Sequence, residues 1–153
     1  LCSRKTEWSF VFVGKTDDDF QQSELRNFSN VHFVGLREES LLSDYLAGFD
    51  VAINPQLINK VTIGNYPRKI DEYLAMGKPV VATETMTMNL FRDFTYLGKT
   101  SDEYITLIEK ALKENNPDLQ KQRIQFARTH TWENSVNAIG KAIIGLRPDL
   151  NRD

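Results

Sequence analysis

In the run Gly64-Asn65-Tyr66-Pro67-Arg68-Lys69-Ile70-Asp71-Glu72, the residue types and their spacing can hold a phosphate and a diol. Proline is favoured at the first helical position, where its missing N–H is no loss and its fixed φ already fits, so a helix is expected from Pro67. The N–H groups around Tyr66, Arg68 and Lys69 are then expected to lack helical partners. Such an end carries roughly half a positive charge and can bind phosphate without a special side chain. At helical spacing Ile70, Tyr73 and Leu74 make an apolar face, and Glu72 falls nearly opposite, beside Arg68 and Met76. A carboxylate so placed can accept paired hydrogen bonds from the vicinal hydroxyls of a ribose. It can equally be a solvated glutamate pairing with Lys69 or Arg68, an interaction worth only ~0.2–0.5 kcal/mol.

The elements that must carry these residues follow from periodicity and turn chemistry. Strands are expected over 9–13, 31–34, 51–54 and 80–82, with a short one over 95–97. Helices are expected over 23–28, 38–47, 67–76, 101–113, 117–129 and 132–144. Gly77 ends the third of these, and Thr100 with Glu103 makes a capping box at the start of the fourth. Arg147-Pro148-Asp149 reads as a tail, and Leu1 to Lys5 as the end of a helix. Alternating strands and helices imply a parallel sheet with both faces covered. The fold class expected is therefore α/β, Rossmann-like, in one domain spanning residues 1–153.

Other reactive side chains read as structural. Asp17, Asp18 and Asp19 lack the alternating spacing of calcium loops and read as a solvated turn. His32 and His130 have no cysteine or histidine at ligand spacing, so no metal is expected. Lys15 is a cation near a strand end, or a surface lysine in a polar turn. Gly14 and Gly35 each end a strand outside any G-x-G-x-x-G run. Met86 and Met88 lie in a polar, threonine-rich connection whose ends border the strand termini. The net charge of −2 comes with scattered basic residues, which argues against a nucleic-acid partner. Cys2 is alone, which suits a reducing, cytoplasmic setting. No apolar run reaches the ~20 residues that span a bilayer.

The run Glu72-Tyr73-Leu74-Ala75-Met76-Gly77-Lys78-Pro79-Val80-Val81-Ala82-Thr83 resembles the EAMAxGxPVVA signature of the group 1 glycosyltransferases, in the C-terminal, donor-binding domain of the GT-B fold. Residues 8–14 (WSFVFVG), 30–35 (NVHFVG), 41–47 (LLSDYLA) and 49–55 (FDVAINP) resemble that domain's second strand, third strand, following helix and fourth strand. His130-Thr131-Trp132-Glu133 resembles the HxW start of its final helix. The resemblance runs from about residue 8 to residue 144.

The resemblance implies that Glu72 holds the ribose hydroxyls of a nucleotide-diphosphate sugar, the donor substrate. It implies no other cofactor. Main-chain amides at Asn65 to Arg68 would approach the diphosphate, Pro67 contributing none, and Gly35 and Leu36 would lie against the base. The family's second glutamate, eight positions before the first, is here Gly64, which has no side chain with which to contact the sugar. The implied chemistry is transfer of a sugar to an acceptor, with retention, by a longer enzyme. Its acceptor-binding domain, and the first strand and basic loop of the donor domain, would precede Leu1. By itself this stretch would bind donor weakly and transfer nothing, whereas the whole enzyme could also contact a membrane peripherally. The absent strand belongs centrally in a 3-2-1-4 order, so an incomplete sheet is expected. A nucleotide-sugar epimerase or hydrolase of the same fold would share the nucleotide site. A flavodoxin-like regulatory or interaction domain would bind no nucleotide, and its receiver form lacks here a lysine after residues 80–82.

Overall fold

Short strands and helices alternate along residues 1–60 and 62–146, the part of the chain that the computed structural model describes. The first half holds β1 (Phe10–Val13), α1 (Asp18–Gln21), β2 (Val31–Gly35), α2 (Glu39–Ala47) and β3 (Ala52–Asn54). The second half holds α3 (Arg68–Ala75), β4 (Val80–Thr83), β5 (Tyr96–Gly98), α4 (Ser101–Glu114), α5 (Pro117–Ala127) and α6 (Trp132–Leu146). All pairing is parallel. β1 runs beside β2, and β3, β4 and β5 form a second sheet in that order. This is a Rossmann-like α/β arrangement. Among the described residues no ladder joins β1 to β3, so the strands form two separate sheets.

Strand β4 explains why the second sheet forms. Its four residues are all buried, and successive side chains point to opposite faces. Val80 and Ala82 pack with Ile70 and Leu74 of α3, with Met88 and Phe91, and with Ala127 of α5. Val81 packs the other way, on Tyr104, Ile108 and Ala111 of α4. Leu1 and Trp8 reach this second cluster beside Val51 and Ile53, which ties the start of the chain to the β3 side of the sheet. The Asn30 amide nitrogen fixes the same segment by donating to the carbonyls of Cys2, Lys5 and Trp8 at 3.0–3.1 Å.

Several expected boundaries are corrected. Residues 23–28 form no α-helix but a 3-10 turn at Glu24–Asn27, and α1 precedes it. There Asp17 is exposed, as expected of a solvated segment, but it also caps α1, its Oδ1 accepting from the Phe20 amide at 2.8 Å. Leu1 to Lys5 make one turn, closed by the Lys5 amide on the Leu1 carbonyl at 3.0 Å. Met88 is buried in the core, because Thr87–Phe91 coils into a 3-10 turn that carries it and Phe91 inward. The Thr100–Glu103 capping box forms as expected, and α6 continues to Leu146. Residues 147–149, expected as a tail, lie outside the described residues.

Candidate functional site

Pro67 stands just outside α3 rather than at its first helical position, with φ −85° and ψ 76°. Those angles are close to an inverse γ-turn, and the Arg68 amide accordingly donates back to the Tyr66 carbonyl at 3.0 Å. The Asn65 amide donates to Thr62 at 3.1 Å. Two of the amides expected for phosphate are therefore occupied within the loop. Those of Tyr66 and Lys69 make no hydrogen bond among the described residues. The helix is two turns long, shorter than expected, and ends as Gly77 takes φ 69°. The Gly77 amide then donates to Leu74 and the Lys78 amide to Tyr73.

Strands β3 and β4 deliver this loop at their carboxyl ends. Past Asn54 the chain turns because the Gln56 amide donates to Thr83 Oγ1 at 2.8 Å. Thr83 is in turn bonded to the Tyr104 hydroxyl at 2.8 Å, and that hydroxyl also donates to the Asn54 carbonyl. Farther on, Gln56 Nε2 donates to the Thr62 carbonyl and Thr62 Oγ1 to Leu57. Thr87 Oγ1 holds the Asn65 carbonyl at 3.0 Å. A buried hydroxyl pair thus sets where the loop leaves the sheet, and threonines set its path.

Ile70 and Leu74 are fully buried, Tyr73 is half-buried and Glu72 is exposed, as helical spacing predicts. The Glu72 carboxylate makes no ion pair or hydrogen bond among the described residues, so the pairing with Lys69 or Arg68 does not form. Burial chiefly, and then the Glu72 charge, hold the Tyr73 phenol above its ordinary pKa. Gly64, Asn65, Tyr66, Arg68 and Lys69 are all exposed. They and Glu72 share the end of the sheet at which ligands of open α/β folds bind. Gly35 and Leu36 sit at the carboxyl end of β2, in the other sheet, where Gly35 has φ 78° and its carbonyl accepts from Gly14. Leu36 is 73% exposed. Among the described residues no hydrogen bond or strand pairing joins these two residues to the Glu72 group.

Sequence reading missed the polar group behind the loop. The Tyr66 hydroxyl donates to Asp71 Oδ2 at 2.8 Å, and Asp71 Oδ1 lies 2.9 Å from His130 Nδ1. Burial first, and then the Asp71 carboxylate, push the Tyr66 phenol far above its ordinary pKa. An aspartate in the first turn of a helix was a weak local signal. The histidine partner is 59 residues away and gave none. Clefts of about 320 and 220 Å³ open elsewhere, at the amino ends of the strands. Asp50, Gly77 and Lys78 line the first, and Thr95, Tyr96 and Arg123 the second. Lys78 has its ammonium committed to the carbonyls of Ala47 and Phe49 at 2.7 and 2.8 Å. Among the described residues no helix is long and apolar enough to cross a membrane.

A family model described as glycosyl transferases group 1 matches residues 1–113. A protein of Bacillus subtilis (strain 168), described as "Putative teichuronic acid biosynthesis glycosyltransferase TuaH", is 30% identical over 136 residues. That alignment covers 84% of this chain and 34% of the relative, so the chain matches about a third of the relative's length.

Proposed function

Because the chain belongs to the group 1 glycosyltransferases, we propose that it is the donor-binding domain of an enzyme that transfers a sugar from a nucleotide-diphosphate sugar to an acceptor. The diphosphate lies at the amino end of α3, against the Tyr66 and Lys69 amides, and Glu72 accepts the ribose hydroxyls. The base extends toward Gly35 and Leu36. One observation carries the reading: Glu72 is an exposed carboxylate without a partner among the described residues, about one turn inside a helix whose Lys69 amide is also unpaired, as is the Tyr66 amide just before it.

Departure of a nucleoside diphosphate leaves negative charge on its phosphates. Fixed amides and a helix terminus stabilise that charge without having to reorganise. Here the Pro67 turn lowers the number of available amides, so the helix end and the Lys69 and Arg68 side chains carry more of the task. Gly64 leaves room for the sugar rather than a carboxylate to hold it: a Cβ there would meet nothing within 4 Å. The acceptor site belongs to a further domain, and the open edges of β1 and β3 receive the first strand of the parent domain. Transfer with retention and a cytoplasmic location complete the reading.

Calorimetric titration of the wild type and Glu72→Ala with UDP and with GDP tests it. Removing a charged acceptor is expected to weaken binding by about 1.5–3 kcal/mol. Equal affinity in the two proteins, with folding intact, would make Glu72 an ordinary surface residue.

A further inference from the structure

We propose that Asp71 and His130 are positioning residues that hold Tyr66, and with it the loop 64–69, in the conformation that receives a nucleoside diphosphate. The proposal rests on the donor reading above. It concerns a different part of the molecule, since neither side chain is assigned a contact with the ligand.

The argument begins at the end of α5. His130 is tied to that helix by its amide, which donates to the Ala127 carbonyl at 3.0 Å. Its ring stands edge-on to Phe126 and Phe91, with centroids 4.5 and 5.6 Å away. A ring fixed in this way has little rotational freedom, so Nδ1 faces Asp71 from a set direction. A carboxylate can only accept, which makes Nδ1 the protonated nitrogen of the imidazole. Asp71 thus has one oxygen on His130 and the other on the Tyr66 hydroxyl. Its side chain is about one-fifth exposed, so water competes poorly for either oxygen.

Tyr66 passes this order to the loop. Its ring packs on fully buried Phe91 at 5.7 Å, and its carbonyl accepts the Arg68 amide. On the preceding residue Thr87 holds the Asn65 carbonyl. The peptide between these two anchors carries the Tyr66 amide, one of the unpaired donors. Tyr66 itself is 46% exposed, so without Asp71 nothing else among the described residues would fix its hydroxyl. Order in the donor loop therefore depends on a histidine in the turn after α5, and a loop held before binding does not lose that freedom on binding.

The test uses the whole protein in three variants. Tyr66→Phe keeps the ring on Phe91 and removes the hydroxyl. His130→Phe keeps the aromatic contacts and removes the donor, and His130→Asn restores a donor near the Nδ1 position. Two readouts are taken, amide hydrogen exchange across residues 64–69 and calorimetric affinity for UDP and for GDP. Tyr66→Phe and His130→Phe are expected to speed loop exchange and to weaken nucleotide binding by about threefold to tenfold, with the exchange of β4 unchanged. His130→Asn is expected to recover most of both. Unchanged loop exchange in Tyr66→Phe and His130→Phe overturns the proposal, as does faster exchange with unaltered affinity. If the wild type binds neither UDP nor GDP, the donor reading falls separately, and loop exchange alone then decides whether the pair orders the loop.

Discussion

His130 and Asp71 meet at 2.9 Å across 59 residues of sequence, joining the turn after α5 to the first turn of α3. Phe126, one turn before His130, stacks on Phe94 at 4.2 Å and meets Phe91 edge-on. The histidine therefore closes an aromatic cluster and satisfies a carboxylate at once. Its removal has two costs.

His130→Ala is expected to destabilise the fold by about 1–3 kcal/mol, the sum of a hydrogen bond and the edge contacts. A double-mutant cycle with Asp71→Asn separates the parts, since only the hydrogen bond is shared by the two residues. Urea midpoints of the four proteins provide the measurement. Additive effects would mean that the pair has no coupling of its own.

Gly77→Ala tests the stop of α3. The residue has φ 69°, and an added Cβ would come within 3.3 Å of Gln120 Cβ and Ile124 Cδ1 on α5. Strain in the left-handed region and pressure on the α3–α5 contact act together, so a loss of about 1–3 kcal/mol is expected. Nearby, the Arg123 Nη1 atom donates to the Gly77 carbonyl, so the substitution disturbs a buried guanidinium as well. A melting temperature unchanged by Gly77→Ala would show that the α5 side chains move aside freely and that the backbone strain is small.

Alkaline pH is expected to weaken the fold through tyrosine. Burial raises the phenols of Tyr73 and Tyr104, and burial together with Asp71 raises that of Tyr66. Unfolded tyrosines ionise near pH 10, so below that value both states are protonated and the contribution is fully present. Above it the unfolded chain loses protons first, and stability falls until the folded phenols ionise too. Urea midpoints should be flat with respect to these groups below about pH 10 and decline above it. Tyr104→Phe should lessen the decline, at the cost of leaving Thr83 without its hydroxyl partner.

The parts of this molecule that were legible in the sequence are those set by near neighbours. Residues 80–82 read as a buried strand because Val-Val-Ala allows little else between Pro79 and Thr83, and the Thr100 cap needs only Glu103. Glu72 was placed outward by its spacing from Ile70 and Leu74 alone. The register of Pro67 was missed by one residue, because the choice between a helical and a γ-turn conformation there depends on how Thr87 and Phe91 hold Asn65 and Tyr66. Asp17 was not recognised as a cap because a cap and a polar turn have the same composition. At Pro67 distant partners decided the outcome, whereas the partner of Asp17, the Phe20 amide, is only three residues away.

The outer edges of β1 and β3 yield the last prediction. Phe10 donates to Asn30 and Ala52 donates to Pro79, so alternate amides point to the paired side and those of Val11, Val13 and Ile53 point away from it. Among the described residues no strand receives them. Amide exchange at Val11, Val13 and Ile53 is therefore expected to be much faster than at Val81 and Ala82, which lie in the strand paired on both sides. Unpaired parallel edges of this kind invite another strand. If the proposed upstream strand fills the gap, a longer form of the protein that carries it will protect the same three amides while leaving β4 as it was. Slow exchange at all three in the present chain would mean that these edges are already covered, and the proposed place for that strand would be lost.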